Sequence, residues 1–394
     1  MNFVFVSLQR INTDRESTST SLARELSKNH QVLYINPPLD RKTYYLNTSD
    51  TFLNSHKRSA KQNNNHLFEL SVNLWALNTK TILESINWIP LTAVFEKINW
   101  LNNYRFSQDI KKALVELNIK DFILINDKDI FRSFHLKELL KPKLYVYLDR
   151  DYTIGFGYWK RHGVSLEPKL MAKSDAVVCN SLDFTRNALK YNANSFYIGN
   201  GCDIDLFNPN KSYNLPKELK VTSRPIIGYV GALHSKRLDI DLIIKIATYT
   251  KNWSVVLIGE EDENFMESDL HNLPNVHFLG KIHKSDIPPY LKHFDVCVNP
   301  QVINEITIGN FPLKIVEYLA MGKPVVAMAT NTMNEVFSGQ TYLANSTQGF
   351  IEKIEQALIE DNPGLQKERI KFASNYSWEN VTKILLNSIQ KVLK

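Results

Sequence analysis

Short runs of β-branched and aromatic residues alternate with helix-period segments along almost the whole chain, which is the pattern that parallel sheets with crossover helices require. In the first half the expected strands are Phe3 to Leu8, Val32 to Ile35, Phe122 to Ile125, Lys143 to Leu148, Ala176 to Cys179 and Ser195 to Ile198. In the second they are Ile226 to Val230, Ser254 to Ile258, Val276 to Leu279, Val296 to Asn299 and Pro324 to Met328. Between them, segments such as Leu238 to Thr250 place Leu238, Leu242 and Ile246 on one helical face, as a helix covering a sheet must. A chain of 394 residues exceeds one ordinary core, so two α/β domains are expected. Polar, proline-bearing text from Asn208 to Pro216 marks the boundary, giving predicted domains at 1–207 and 218–376 and a last helix at 377–394 capped by Ser377.

Hydrophobic residues at 43% and charged residues at 22% describe a folded chain. Cys179, Cys202 and Cys297 are far apart and lack metal-ligand spacing, so they read as structural thiols in a reducing cytoplasm. Met1 to Leu8 reads as a first strand and not as a leader, and no run reaches the roughly 18 apolar residues of a spanning helix. A net charge of +6 is too small for a nucleic-acid footprint and leaves room for weak attraction to an anionic ligand or membrane. Residues from about 42 to 105 break the strand and helix rhythm, with Lys57 to Asn65 followed by apolar text around Trp75, Trp88 and Trp100. This insertion is expected to be a pair of helices packed on the sheet; a peripheral membrane contact at the inner face of the cell membrane is the other reading, because aromatic residues interleaved with Lys and Arg suit an interface.

Two segments carry chemistry. In Pro312-Leu-Lys-Ile-Val-Glu317-Tyr-Leu-Ala-Met-Gly322-Lys-Pro-Val-Val326, Pro312 suits a first helical turn and Gly322 a helix end. Glu317 then sits on a helix among apolar neighbours and must be paired or bind something polar. Sugar hydroxyls are one such partner, and Lys314 one turn earlier is the other. The second segment, Ile227-Gly-Tyr-Val-Gly231-Ala-Leu-His-Ser-Lys236-Arg237-Leu-Asp, is a strand running into a glycine turn and a helix. Glycines let the backbone approach a diphosphate, and Lys236 or Arg237 would neutralise it.

The first segment resembles the nucleotide-binding signature of retaining GT-B glycosyltransferases of family 4, also called group 1, and is similar to their teichuronic acid and capsular polysaccharide branch. The resemblance implies a GT-B fold: two Rossmann-like domains with parallel sheets facing across a cleft, and a C-terminal helix crossing back to the amino-terminal domain. It implies that Glu317 holds the donor ribose and that Gly309, Asn310, Phe311, Pro312 and Leu313 lie along the donor phosphates and sugar. Gly309 stands where the family has a second glutamate, and Ala232 where it has an arginine; Glu305 is a possible substitute for the former. Arg237 matches the family's loop lysine. Gly231 and Gly259 end donor-side strands, Lys281 and Ile282 would cup the base through main-chain atoms, and Ile198-Gly-Asn200-Gly201-Cys-Asp203 resembles the family's string at the end of the first domain.

In the first domain, Asp149 and Asp151 leave a strand end where ligand crevices of such sheets lie and are candidates for an acceptor-side polar group. The run Ser17 to Ser21, in the loop from Ser7 to Thr20, reads first as a helix cap. An Asp-x-Asp pair recurs at Asp127, Asp203 and Asp239, so chance explains it and no metal is expected. What the resemblance implies is sugar transfer from a nucleoside diphosphate sugar, as co-substrate with no bound cofactor, to a glycan or lipid-linked acceptor, with no nucleic-acid partner. A nucleotide-sugar epimerase and a non-catalytic protein of the same fold are the alternatives.

Overall fold

The computed structural model describes residues 1–11, 13, 17–155 and 157–394. Asn12, Asp14, Arg15 and Glu16, which belong to the loop from Ser7 to Thr20, and Phe156 lie outside the described residues. The chain divides into one unit of Met1–Gly199 with Val381–Lys394, and a second of Asn200–Asn380.

The first unit is built on an eight-stranded sheet: β1 (Asn2–Ser7), β2 (Gln31–Ile35), β3 (His66–Ser71), β4 (Leu74–Asn78), β5 (Phe122–Asp127), β6 (Leu144–Asp149), β7 (Ala176–Cys179) and β8 (Ser195–Tyr197). Their order is β3-β4-β2-β1-β5-β6-β7-β8, parallel except for the antiparallel pair of β3 with β4. Helices cover both faces of such a sheet, so its strands read as continuous apolar text. Val4, Val6, Leu33, Leu124, Tyr145 and Val177 pack with Phe106 and Ile110 of the helix Thr92–Glu116 and with Leu170 and Met171 of the helix Gly157–Lys173.

The insertion differs from the expected pair of helices. It contains the helices Arg41–Tyr45 and Thr51–Lys61, the hairpin β3–β4 and the start of the helix Thr92–Glu116. The hairpin extends the sheet because Leu74, Ala76 and Leu77 bury inward beside β2, while Val72 and Asn73, the latter at φ 62°, make the two-residue turn.

The second unit has a six-stranded parallel sheet of β9 (Ile226–Val230), β10 (Ser254–Ile258), β11 (Val276–Phe278), β12 (Val296–Asn299), β13 (Val325–Met328) and β14 (Tyr342–Ala344). The order β11-β10-β9-β12-β13-β14 is that of a dinucleotide-binding sheet, whose direction of winding reverses between β9 and β12. Ligands of such sheets lie beyond the carboxyl ends of the strands at that reversal. β14 was not among the expected strands; three residues are too few for a readable period. The last helix, Trp378–Leu393, has its Asn380 amide held by Ser377 Oγ at 3.2 Å, and from Val381 onward it groups with the first unit, where Lys391 Nζ stands 5.8 Å from the ring of Phe196.

Candidate functional site

The turn after β9 is shaped by what its glycines allow. Gly231 has φ 142°, and a Cβ on it would stand 2.6 Å from Lys314 Nζ and 2.9 Å from Tyr229 Oη. Gly259, directly after β10, has φ 156°, and a Cβ there would come within 1.9 Å of the Gly231 carbonyl oxygen. Only residues without side chains let these two turns lie back to back, and the result is bare backbone beside an ammonium group.

The helix Leu313–Ala320 supplies that ammonium. Tyr318 fixes the helix to the end of β9: its hydroxyl accepts from the Val230 amide at 2.8 Å and donates to the Val230 carbonyl at 3.2 Å. Lys314, four residues earlier, projects from the same side and therefore meets the Gly231 turn. Its Nζ hydrogen-bonds Tyr229 Oη and lies 3.9 Å from the centre of the Tyr229 ring. Burial pulls the Lys314 pKa down to about 7, with Glu317 opposing and Arg237 adding to the fall. Burial likewise raises the Tyr229 hydroxyl, against the influence of Arg237. Sequence reasoning missed Lys314 as a site residue, reading it only as a partner for Glu317; the signal available was its place in the Pro312-Leu-Lys string.

Glu317 points elsewhere on the helix. Its Oε1 is 3.6 Å from Nζ of Lys284, in the turn Lys284–Asp286 after β11, a distance of charge pairing and not of a hydrogen bond. The Glu317 side chain is 15% exposed, so most of it is enclosed. Lys284 Nζ is in turn 5.9 Å from the ring centre of Phe207. Burial and then Glu317 push the Cys202 thiol well above its usual range. The Asn200 to Phe207 string thus lies against this corner. Asn200 is buried, and Gly201 is explained by packing, since a Cβ would come 2.3 Å from the indole of Trp378.

The loops after β9 and β12 are strapped together. Arg237 and Lys236 offer carbonyls to the Val302 amide at 3.0 Å and to Asn304 Nδ2 at 2.8 Å, while both side chains are exposed. Arg237 is near enough to lower the pKa values of both Lys314 and Tyr229. Gly309 is buried. The Asn310 amide is used within the loop, donating to the Thr307 carbonyl at 3.3 Å, but its buried Oδ1 has no hydrogen-bond partner among the described residues. Phe311 is 6% exposed and packs 5.2 Å from Phe337 and 5.5 Å from Tyr376, anchoring the loop in the core. Pro312 and Leu313 begin the helix, which has no side-chain cap among the described residues. Lys281 turns to Glu260 at 2.9 Å on the surface, and Ile282 packs against the core. Glu305 is exposed.

In the first unit the two aspartates part company. Asp149 is 1% exposed and bound to Lys128, whose Nζ also meets Glu167 at 2.6 Å; Tyr147 donates to Glu167 at 2.6 Å. Burial raises the Asp149 carboxyl to about 6, against Lys128 and with Glu167. Enclosure and charge pairing give Asp149 a structural partner in Lys128. Asp151, at φ 56°, remains half-exposed at 3.0 Å from Arg150. Arg150 grips Asp127 with two bonds of 2.5 and 3.0 Å, and this outweighs burial and holds the Asp127 carboxyl below its ordinary value. Ser17 is a cap: its Oγ accepts from the Thr20 amide at 3.3 Å while Thr20 Oγ1 accepts from the Ser17 amide at 2.8 Å.

Residues 224–360 match the family model described as Glycosyl transferases group 1. Over 227 residues the chain is 26% identical to TuaH of Bacillus subtilis (strain 168), a protein whose name assigns it to teichuronic acid biosynthesis; the stretch spans 54% of this chain and 56% of that relative. Among solved structures, sucrose-phosphate synthase from Thermosynechococcus elongatus superposes with a TM-score of 0.69 at 15% identity, covering 99% of this chain and 98% of that one. HepE from Anabaena, solved with UDP-glucose, gives 0.64 at 16% identity over 99% and 100%. Over residues 224–360 the second unit is thus similar to the glycosyl transferases group 1 family, and the fold of the chain is that of the GT-B glycosyltransferases.

Proposed function

We propose that the protein transfers a sugar from a nucleoside diphosphate sugar to a lipid-linked or polysaccharide acceptor, with retention of anomeric configuration, in the assembly of a cell-surface glycan on the cytoplasmic side of the membrane. The observation that carries this reading is the division of one short helix between two tasks. Lys314 stands against the bare Gly231 turn, and Glu317 stands beside Lys284 at the other side of the same helix. In the proposed complex Glu317 accepts the ribose hydroxyls, and Lys314, Arg237 and the uncapped helix start take the diphosphate. Asn310 Oδ1, buried without a partner among the described residues, accepts from a sugar hydroxyl.

Charge builds on the departing diphosphate as the glycosidic bond breaks, and cations already in place stabilise it without a protein nucleophile. Lys314 supplies a positive charge at a turn where Ala232 brings none. The UDP-glucose bound by HepE supports a uridine diphosphate sugar as the first donor to test, and the name of TuaH supports a cell-wall glycan as the product class.

The test is incubation with a panel of nucleoside diphosphate sugars, with and without lipid-linked acceptor extracts, scored for free nucleotide and for labelled glycan. Acceptor-dependent release with label in the glycan is the expected result. An isomerised sugar without acceptor would establish an epimerase instead, and failure of every nucleoside diphosphate to bind would establish a non-catalytic protein.

A further inference from the structure

The first half of the helix Thr92–Glu116 exposes several large apolar side chains while burying polar ones. Its inner side carries Phe95, packed with Ile86, Ile89 and Ile130, and three asparagines: Asn99 and Asn103 both donate to the Phe131 carbonyl, at 3.0 and 2.9 Å, and Asn102 exchanges two hydrogen bonds with the backbone of Glu84 at 2.9 and 3.0 Å. Its outer side carries Leu91 just before it, then Val94, Trp100, Leu101 and Tyr104, all 41 to 66% exposed, beside the charged Glu96 and Lys97, with Trp100 and Tyr104 stacked at 5.5 Å. A surface helix of a soluble domain usually turns such large apolar side chains inward.

The same surface continues beyond the helix. Arg105, one turn after Leu101, reaches Glu84 at 3.4 Å, and Glu84 also pairs with Arg41. Glu84 and Arg41 line a groove with Lys42, Tyr45, Leu46 and Trp88. Tyr45 is 75% exposed and Trp88 72%. Tyr45 and Leu46 line a second groove whose far wall is Lys57, Arg58 and Lys61. Residues 41 to 105 hold eight Lys and Arg against four Asp and Glu, and so carry +4 of the chain's +6.

We propose that this face of the first unit docks on an anionic lipid bilayer, with Tyr45, Trp88 and Trp100 entering the headgroup layer and Lys42, Arg58 and Lys61 meeting the lipid charges. Tryptophan and tyrosine are the side chains that settle at a membrane interface, and lysine and arginine beside them draw the surface to acidic lipids. No helix among the described residues is long and apolar enough to span, so the contact is peripheral. A second copy of the chain is the weaker occupant, since a two-fold pairing of this face would set its positive charges against one another.

The experiment is co-sedimentation of the whole chain with vesicles of phosphatidylcholine alone or mixed with phosphatidylglycerol, with tryptophan emission recorded in parallel. Wild-type protein should bind only the mixed vesicles, release with salt, and shift its emission to shorter wavelength. Tyr45→Ser/Trp88→Ser/Trp100→Ser should weaken binding at least about tenfold. Lys42→Glu/Arg58→Glu/Lys61→Glu should weaken it by about a hundredfold or more, given roughly fivefold per cation. Both variants should keep the wild-type circular dichroism and nucleotide response, so a failed donor site and a failed membrane face are distinguished. Wild-type binding to neither vesicle, equal binding to both, or undiminished binding by the folded variants would overturn the proposal. So would a dimer that the same substitutions dissolve in protein that ignores vesicles.

Discussion

Lys314 Nζ lies 2.6 Å from the point where a Cβ on Gly231 would stand, so the ammonium of one helix and the turn after β9 form a single surface. Its pKa, drawn down to about 7 by burial, makes that surface titratable near neutrality. Folded Lys314 binds fewer protons than the unfolded chain between about 7 and the ordinary 10.5, so it favours stability as pH rises through that window.

A diphosphate beside Lys314 favours its charged form, so binding above pH 7 should take up a proton. Affinity for UDP should then fall as pH rises from 7 to 9, by at most about tenfold per unit. Calorimetric titration in two buffers of different ionisation heat measures the uptake. Lys314→Met should bind more weakly with a flat profile; a variant that keeps the slope would remove Lys314 from the phosphate site.

How much of this was legible beforehand follows from what each residue depends on. The alternation of β-branched runs placed eleven of the fourteen strands among the described residues, because buried parallel strands leave an apolar record in the sequence. The β3–β4 hairpin was hidden by lysine-rich and tryptophan-rich text, although its alternation and the Val72-Asn73 turn were available. Glu317 and Gly231 were named from local pattern and stand on the carboxyl edge of the second sheet. Lys314 was missed because the spacing to Glu317 offered a simpler partner, and the tertiary contact with Tyr229 decided otherwise. The surroundings of Phe311 and Asp149 could not be read locally for the same reason: they come from distant segments, the Phe337 and Tyr376 core for one and Lys128 for the other.

Gly231→Ala tests the turn itself. The methyl group would displace Lys314 Nζ and strain a backbone at φ 142°. A stability loss of about 1 to 3 kcal/mol is expected, together with a UDP affinity reduced at least tenfold. Thermal unfolding with and without UDP reads both effects, and unchanged binding would mean that the nucleotide lies elsewhere.

Lys128→Met should leave Asp149 and Glu167 buried without their cation. The loss expected at pH 7 is about 3 to 5 kcal/mol. Because protonation neutralises the stranded carboxyls, the deficit should shrink as pH falls toward 5. Denaturant unfolding at both pH values checks it; equal deficits would contradict the charge account. In the wild type, the raised Asp149 pKa of about 6 means that its own contribution declines as pH climbs from about 4 to 6.

The central claim is that Glu317 grips the ribose of a nucleoside diphosphate, and calorimetric titration of UDP into wild type and Glu317→Ala tests it most directly. Loss of hydrogen bonds to a charged group, about 1.5 to 3 kcal/mol, predicts a Kd raised at least tenfold while the fold and unfolding temperature of the free protein stay near wild type. A Glu317→Ala protein that binds UDP as tightly as the wild type would contradict the account.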